Sequence, residues 1–230
     1  MKSNLDIKSK FKKLILSNDY LKRYAAMLYS IFNGNKIHIM HGNSFIKDAV
    51  FLKNTKIQIV GQGNTIKIEE DSILNNFNLY ILGNNNSILL GSKVILSDAN
   101  LYIEDNNNTI DIGNNTTIHG KTHLASIEGC RISIGADCMF SMDVVFRTGD
   151  SHSIIDDTGS RINKSKDIFI GNHVWFGNKT TILKGAIIRD NSIVATGAIV
   201  TNTFSKSNII LAGIPARVVK ENINWLRERI

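Results

Sequence analysis

Apolar residues return every 22 positions through the first half of the chain, and this repeat constrains the fold more than any other feature. Within one copy the marker positions are 9, 6 and 7 residues apart. In most copies another small or apolar residue stands two positions earlier, as in Ile66/Ile68, so that both lie on one face of a strand. The repeat therefore predicts a parallel β-solenoid with three short strands in each coil. The residues in register are Ile46, Ile68, Leu90, Ile112 and Ile134, then Leu52, Leu74, Leu96, Ile118 and Phe140, then Ile37, Ile59, Ile81 and Ile103.

Turn sequences separate these strands at regular places. The segments GQGNT, GNNNS and DNNNT are rich in Gly and Asn, the residues that best tolerate a left-handed backbone. The same register places Asn64, Asn86 and Asn108 one above another. We therefore expect a column of asparagines along one corner of the solenoid.

The period tightens to six residues after position 170. Large residues are followed four positions later by small ones, which predicts a narrow triangular coil of the same solenoid. The large residues are Ile170, Phe176, Ile182, Ile188, Val194 and Val200, and the small or short ones are Val174, Thr180, Ala186, Ser192 and Ala198. Phe176 stands where an aliphatic residue is usual in such a repeat, and it predicts a locally wider interior.

The stretch FRTGDSHSIIDDTGSRINKSKDIFIG, from Phe146 to Gly171, interrupts the repeat with mostly polar residues. The two flanking markers Phe146 and Ile170 are 24 positions apart, a multiple of six. We therefore predict a protruding loop over residues 148–167 that leaves and re-enters the solenoid without changing its frame.

The two ends of the chain have other patterns. Helix-like apolar spacing between Ile7 and Phe32, with Asn18 as a cap, predicts an N-terminal helical segment over residues 1–34, as two short helices or one broken helix. The solenoid then spans residues 35–215 and ends near Pro215, the single proline. Residues 216–230 are expected to form a C-terminal helix. Both ends would cap the terminal coils.

Composition sets the broad class. With 230 residues and 43% hydrophobic content, the chain suits one principal domain. It contains no run of 18 apolar residues and no signal-peptide pattern, so we expect a cytoplasmic location. Cys130 and Cys138 have neither metal-ligand nor disulfide spacing, so we expect reduced thiols, with Cys138 in the core, and no bound metal.

The positive charge is concentrated at the N terminus. Residues 1–23 hold five of the seven excess positive charges. Such a stripe is most often a solvated helix face, although it can also bind a membrane surface. We expect no nucleic-acid partner and keep weak membrane contact of this segment as an alternative.

Two segments carry a resemblance to a known family: IGNHVWFGNKTTILKGAIIRDNSIVATGAIVT (170–201) and LAGIPARVVK (211–220). They resemble the hexapeptide-repeat acyltransferases, which fold as a left-handed parallel β-helix. The segments DNNNTIDIGNNTTIHG, DCMF and TGDSHSI are similar to the branch that O-acetylates capsular or other cell-surface sugars. The resemblance implies an all-β solenoid of left-handed coil sense, a homotrimer, acetyl-CoA bound between subunits, and a histidine as general base.

The residue that matches the family's base is His152. A sugar hydroxyl is a weak nucleophile at neutral pH, so a base must remove its proton as it attacks the thioester. Asp143 matches a family position beside the active site, and Asp150 is the local alternative for orienting the imidazole. A turn-forming role for Asp150 is an equal alternative. The chain has no G-x-S-x-G motif, which agrees with direct transfer.

The resemblance also implies a cofactor path. Trp175 would lie near the acetyl and pantetheine groups, or at a subunit interface, since both readings suit a site between subunits. The other residues expected along the path are Asn178, Thr196, Gly197 and Thr201, with Thr196-Gly197 where Ala-Gly is common. Lys220, with Arg217 as the alternative, would meet the phosphates of CoA. His119 and His123 are weaker candidates for contact with the acceptor sugar, because a lone histidine is more often structural.

Three functions remain open from the sequence. The first is an acetyl-CoA-dependent O-acetyltransferase acting on a capsular or lipopolysaccharide sugar. The second is an N-acetyltransferase of an amino sugar nucleotide, which the missing GxGxxG nucleotide-binding segment disfavours. The third is a catalytically silent solenoid scaffold. The polar loop with its histidine favours the first.

Overall fold

Three parallel sheets form a triangular prism in the computed structural model, which describes residues 18–230. The chain visits the three sheets in turn, so that each circuit adds one strand to each sheet. We call the sheets A, B and C, and the three edges between them the A–B, B–C and C–A corners.

Sheet A contains β1 (Lys36–Ile39), β4 (Lys56–Val60), β7 (Asn78–Leu82), β10 (Ala99–Glu104), β13 (Thr122–Ile127), β16 (Val145–Arg147), β19 (Thr181–Leu183) and β22 (Ile199–Val200). Sheet B contains β2 (Ser44–Lys47), β5 (Thr65–Ile68), β8 (Ser87–Leu90), β11 (Thr109–Ile112), β14 (Arg131–Ile134), β17 (Ile168–Ile170) and β20 (Ile187–Ile188). Sheet C contains β3 (Phe51–Lys53), β6 (Ile73–Asn75), β9 (Ile95–Ser97), β12 (Thr117–Ile118), β15 (Met139–Phe140), β18 (Trp175–Phe176), β21 (Ile193–Val194), β23 (Ile209–Gly213) and β24 (Ala216–Glu221).

The apolar markers of the repeat form continuous columns inside the prism. Leu74 pairs with Leu96, and Ile81 pairs with Ile103, 22 residues further on, as the repeat predicts. All of these side chains are buried. The predicted solenoid is confirmed, and its core is the stack of aliphatic residues that the repeat identified.

The predicted register is wrong in the first coil. Ile37 pairs with Ile57 rather than Ile59, and Ile46 pairs with Lys67 rather than Ile68. The first coil is shorter because two of its turns each contain one residue fewer, so Ile46 points outward and is 53% exposed. Apolar spacing alone cannot reveal a shortened turn when isoleucines occupy alternate positions.

Stacked asparagines fill the interior of the A–B corner. The side chain of Asn86 donates to Asn64 Oδ1 (3.0 Å) and to the carbonyl of Asp105 (3.0 Å), and its own Oδ1 accepts from the backbone N–H (2.8 Å) and side chain (3.1 Å) of Asn108. All three asparagines are buried. The predicted column is confirmed, and it satisfies turn amides that would otherwise lack partners inside the protein.

The loop over residues 148–167 lies between β16 and β17 and leaves the sheets intact. Val145 of β16 pairs with Thr181, and Ile132 pairs with Ile168, each 36 residues further on. Later coils repeat every 18 residues, as in Trp175 and Ile193, so the insertion preserves the frame as predicted.

Three phenylalanines fill the interior next to this loop. The rings of Phe140 and Phe176 are 4.4 Å apart between centroids, and Phe146 lies 5.4 Å from Phe176. All three are buried. The aromatic residue at 176 is therefore accommodated by two other aromatic residues at the same level of the prism.

A single helix, α1 (Asp19–Ile31), covers the first coil within the described residues. Asn18 caps it by accepting from Leu21 N–H (3.1 Å), as predicted. Lys22 pairs with Asp71 (2.6 Å) and ties the helix to the solenoid. The part of the predicted helical segment before Asn18 lies outside the described residues.

The predicted C-terminal helix over residues 216–230 is wrong. Residues Ala216–Glu221 form β24, which pairs antiparallel with β23 and covers the edge of sheet C. Two adjacent β-branched residues, Val218 and Val219, favour this extended conformation. Residues 222–230 then run as an irregular tail rather than a helix.

The asparagine column predicts a clear difference between buried and exposed positions. We expect Asn86→Ala to lower the free energy of unfolding by about 2–4 kcal/mol, because it leaves several buried polar groups without partners. Asn106→Ala is the control, since its Oδ1 accepts from an exposed N–H of Asn84 and water can replace it. Urea unfolding measures both, and equal losses would contradict the role of the column.

Candidate active site

The loop is anchored to the solenoid at its base. Thr148 N–H donates to the carbonyl of Ala125 (3.1 Å), and Lys166 N–H donates to the carbonyl of Thr148 (2.9 Å). Within the loop Ile155 and Arg161 form an antiparallel bridge, and Arg161 pairs with Glu128 of the preceding coil (2.7 Å). The loop is therefore a structured hairpin-like arm at the A–B corner.

His152 lies on the exposed side of this arm. Its carbonyl accepts from the side chain of Asn163 (2.8 Å), which also accepts from Ile154 N–H (2.8 Å). Asn163 itself is buried. The backbone at His152 is thus fixed from beneath, while the imidazole faces outward.

Asp150 is bound by two neighbours. It accepts hydrogen bonds from Lys184 Nζ and from Asn163 Nδ2 (2.8 Å). These hydrogen bonds, that of Lys184 above all, lower the pKa of Asp150, although slight burial opposes the shift. The carboxylate therefore stays ionised at neutral pH and joins the arm to the next coil.

Neither predicted orienting aspartate contacts the imidazole within one chain. Among residues 18–230 no hydrogen bond joins the ring of His152 to Asp143 or Asp150. Asp143 lies at the C–A corner, where it adopts a left-handed backbone (φ 58°) and its N–H donates to the carbonyl of Gly120 (2.7 Å).

Three of the predicted cofactor residues, Asn178, Thr196 and Gly197, lie together at the C–A corner. Asn178 accepts from Ser141 Oγ and from Met142 N–H (3.0 Å), and its carbonyl accepts from Gly197 N–H (2.8 Å). Thr196 is exposed at this corner, whereas Thr201, also exposed, directly follows β22 at the other edge of sheet A. The corner is therefore an ordered, partly open edge.

Gly197 keeps this edge shallow. It has a left-handed backbone (φ 74°), and no atom lies within 4 Å of where a Cβ would stand. An extended ligand could therefore approach the backbone closely here.

Trp175 begins β18 on the outer face of sheet C and is 36% exposed. Its ring centroid lies 6.1 Å from that of Trp225 in the C-terminal tail. Arg217 and Lys220 are exposed on β24, beyond the last parallel strand of the same sheet. The structure thus places the predicted cofactor residues other than Thr201 on sheet C and at the C–A corner.

His152 and Trp175 belong to different parts of the prism. His152 leaves the A–B corner, whereas Trp175 lies on sheet C, and the width of sheet A separates the two corners. One chain therefore does not bring His152 and Trp175 into one cleft.

The two candidate acceptor histidines have different surroundings. His119 is exposed at the C–A corner, and its carbonyl accepts from Thr122 Oγ1 (3.1 Å). His123 is half-buried on the outer face of sheet A, with its ring 6.5 Å from that of Tyr102. Burial, and then the nearby charge of Arg147, lower the pKa of His123. It is therefore neutral at physiological pH.

A cluster at the B–C corner was not identified from the sequence. His173 Nδ1 lies 2.7 Å from Asp137 Oδ2, and its ring stacks on Trp225 with centroids 4.0 Å apart. Trp225 Nε1 donates to the carbonyl of His173 (2.9 Å), and Arg227 donates to Asp137 Oδ1 (2.9 Å). This tail clasp, formed by Asp137, His173, Trp225 and Arg227, holds the C-terminal tail on the solenoid. The only sequence signal for it was the tryptophan and arginine in the tail.

The thiols are buried and unreactive in this structure. Cys130 and Cys138 are free, and burial raises their pKa values to about 11 and about 12. No group of three His, Cys, Asp or Glu side chains in residues 18–230 has the geometry to hold a metal ion.

The described residues form a long solenoid with one inserted arm, which is the architecture of a hexapeptide-type β-helix protein. The arm carries the exposed His152. No protein-family model matches the chain. The solved structure of the polysialic acid O-acetyltransferase OatWY has a TM-score of 0.80 and 30% identity, covering 85% of this chain and 92% of that one. That of the polySia-specific acetyltransferase NeuO has a TM-score of 0.77 and 30% identity, covering 84% and 83%.

Two curated relatives match over a shorter stretch. The polysialic acid O-acetyltransferase of Escherichia coli O1:K1 is 39% identical over 99 residues, 43% of this chain and 32% of its own length. That of Neisseria meningitidis is 36% identical over 113 residues, 49% of this chain and 53% of its own length. The chain thus matches about a third to a half of the length of these relatives.

The chain belongs to the hexapeptide-repeat acetyltransferase family, in the branch that contains the polysialic acid O-acetyltransferases. The likeness of its whole solenoid to these structures also assigns the left-handed coil sense that the resemblance implied. Among residues 18–230 there is no helix that is both long and apolar enough to cross a membrane.

The tail clasp predicts a pH-dependent contribution to stability. Burial raises the pKa of Asp137, but hydrogen bonds from His173 and Arg227 outweigh it, so the net pKa lies below the ordinary value. The stabilisation is therefore complete above the ordinary pKa near 4 and is lost as pH falls through the lower folded value. We expect Asp137→Asn to cost about 1 kcal/mol at pH 7, because the carboxylate is partly exposed, and progressively less as pH falls below the ordinary pKa.

Chemical unfolding at pH 7 and pH 3 checks this difference, with Asp98→Asn as a control on an exposed aspartate outside the clasp. A cost that is unchanged between the two pH values would contradict the role of the charge.

Proposed function

We propose that the protein is an O-acetyltransferase that moves an acetyl group from acetyl-CoA to a hydroxyl of a capsular or lipopolysaccharide sugar. The observation that carries the proposal is the exposed His152 on an ordered arm, in a chain whose solenoid matches polysialic acid O-acetyltransferases over most of its length. A cell-surface sugar is the acceptor class that the names of these relatives suggest for this chain.

His152 acts as the general base in the proposed reaction. A neutral imidazole takes the proton of the sugar hydroxyl as its oxygen attacks the thioester carbonyl carbon. The C–S bond then breaks, and the imidazolium returns the proton to the departing thiolate of CoA. Acetyl passes directly to the sugar, so no residue of the chain is acetylated.

Asp150 is assigned to holding the arm rather than to the imidazole. Its carboxylate already accepts from Lys184 and Asn163, and Asn163 fixes the carbonyl of His152. Loss of the hydrogen bonds of Asp150 to Lys184 and Asn163 would therefore displace His152. Asp143, at the C–A corner, is the other candidate from the sequence for orienting the imidazole.

The C–A corner fits an extended acetyl-CoA. Gly197 and Thr196 leave the edge shallow, and Asn178 is already ordered by the preceding coil. Lys220 and Arg217 are exposed cations at the end of the solenoid, suited to phosphate groups. When bound, acetyl-CoA supplies the activated acetyl group, and Trp175 would lie next to it.

A homotrimer would complete this site. Because His152 and Trp175 project from different parts of one prism, the arm of one subunit must meet the C–A corner of a neighbour. A closed ring of three identical chains repeats this contact three times. The proposed site is thus made by two chains.

We predict that His152→Ala lowers acetyl transfer at least about 100-fold, since general-base catalysis contributes about that much or more. The measurement is release of free thiol from acetyl-CoA with a panel of surface glycans and an amino sugar nucleotide. His41→Ala is the control, since His41 is exposed on the first coil. Near-normal transfer by the variant would remove His152 as the base.

The acceptor panel also separates the alternative functions. Transfer only to the amino sugar nucleotide would favour the N-acetyltransferase, and no transfer to any acceptor would favour the silent scaffold.

We predict that two inactive variants restore activity when mixed in one trimer. His152→Ala and Trp175→Ala subunits, unfolded and refolded together in equal amounts, should recover about a quarter of the wild-type activity, because one site in four pairs an intact histidine with an intact tryptophan. Separately refolded variants mixed afterwards are the control. Absence of recovery in refolded trimers would contradict a site shared between subunits.

A further inference from the structure

Two columns of side chains run along the outer face of sheet A. Because the strands pair in register, each side chain stands directly above its counterpart in the preceding coil. The first column is His38, Gln58, Tyr80, Tyr102, Ala125 and Arg147, and the second is Lys36, Lys56, Asn78, Asn100, His123 and Val145. These columns belong to no part of the active site described above except at His123.

The columns enclose a groove of about 380 Å³. Its walls include Tyr80 and Tyr102, whose rings stack with centroids 5.8 Å apart and planes 17° apart. A second groove of about 410 Å³ adjoins it and shares Asn78, Asn100 and His123. The outer face of sheet A thus has a long shallow depression with an aromatic wall.

The first groove has a positive lining. Lys36 and Lys56 stand at one end, and among the described residues that line it there is no carboxylate. Neither lysine forms an ion pair within residues 18–230. Glu104 stands near the aromatic wall, where it accepts from Tyr102 Oη (3.0 Å). Within the part of the chain that the structure describes, these ammonium groups are therefore available to an anionic ligand.

The depression leads to the catalytic arm. Tyr102 lies beside His123, and the next residues along the columns are Ala125 and then Arg147. Arg147 donates to Ser151 Oγ (3.2 Å), the neighbour of His152 in the chain. Three coil steps separate Tyr80 from Arg147, about 14 Å at the usual strand spacing. A ligand of several sugar units could span this distance.

We propose that this face of sheet A binds an extended acidic polysaccharide and aligns it with the arm that carries His152. The proposal rests on the proposed function, since it assigns the acceptor as a polymer of carboxylated sugars rather than a small precursor. Flat aromatic faces pack against the apolar faces of sugar rings, amides such as Asn78 and Asn100 bond hydroxyls, and the lysines attract carboxylates. We call this face the polymer track.

Direct binding tests the track without acetyl-CoA. Calorimetry of the full chain with polysialic acid of two, six and about twenty units should show affinity that rises with length and falls with salt. We expect Tyr80→Ala/Tyr102→Ala and Lys36→Gln/Lys56→Gln each to weaken binding of the longest chain about fivefold or more. Tyr24→Ala and Lys47→Gln are matched controls, because both residues are exposed on other surfaces.

The other ligands separate the alternatives. Neutral dextran of similar length should bind far more weakly, since it lacks carboxylates. Equal binding of dextran, or of single-stranded DNA of the same charge, would overturn an acidic polysaccharide as the ligand. Track variants that bind like their controls would overturn the track itself.

Acetyl transfer then distinguishes failure of the track from failure of the proposed function. If the track is right, the double variants raise the KM for long chains more than the KM for disaccharides. Transfer whose KM does not depend on chain length would overturn the track alone, whereas binding without transfer to any acceptor would overturn the proposed function alone. A changed solution mass of the track variants would show that this face is a subunit contact and would also overturn the track.

Discussion

The structure depends on the pairing of each coil with the coils directly above and below it. A three-stranded coil of about 20 residues is too small to bury its own apolar side chains, so Leu74 is protected only because Leu52 and Leu96 lie against it. The same dependence makes the two ends vulnerable. The helix α1 at one end, and the β23–β24 hairpin at the other, occupy positions where an unpaired coil would otherwise expose its edge.

A filled interior leaves only the outside for chemistry. Every inward position is taken by an aliphatic, aromatic or small residue, and the asparagine column occupies the A–B corner up to Asn108. Residues can be added at the corners without disturbing the pairing of the strands. The arm is inserted at the A–B corner, in a coil that follows the asparagine column. Its frame-preserving length lets Val145 pair with Thr181 as though the arm were absent. The solenoid therefore carries the arm with His152 without any change in its strand pairing.

The sequence predicts the parts of this molecule that repeat and misses the parts that do not. The columns through Leu74 and Asn86, and the limits of the arm, follow from periodicity, because each coil imposes the same demand on its residues. The predicted register was wrong at Ile37 and Ile46 because two turns of the first coil are shorter. A shorter turn changes which residues pair without changing the kind of residue in the strand. The tail clasp at His173 depends on contacts between residues about 50 or more positions apart. The terminal strand β24 depends on an exposed sheet edge, where it pairs with β23. Neither has a periodic signal, and the C-terminal helix that we predicted there was wrong.

The separation of the proposed base from the proposed cofactor residues gives sheet A a particular place in the molecule. Its outer face lies between the A–B corner, with His152, and the C–A corner, with Asn178. Within one subunit, a polymer that follows the proposed track past Tyr102 would reach Arg147, beside the proposed base, without crossing the edge proposed for acetyl-CoA. The two substrates could then approach from different directions, the donor along a corner of one subunit and the acceptor along the face of another. Such an arrangement would let a long chain move past the arm while the donor is exchanged, because neither ligand covers the other's path.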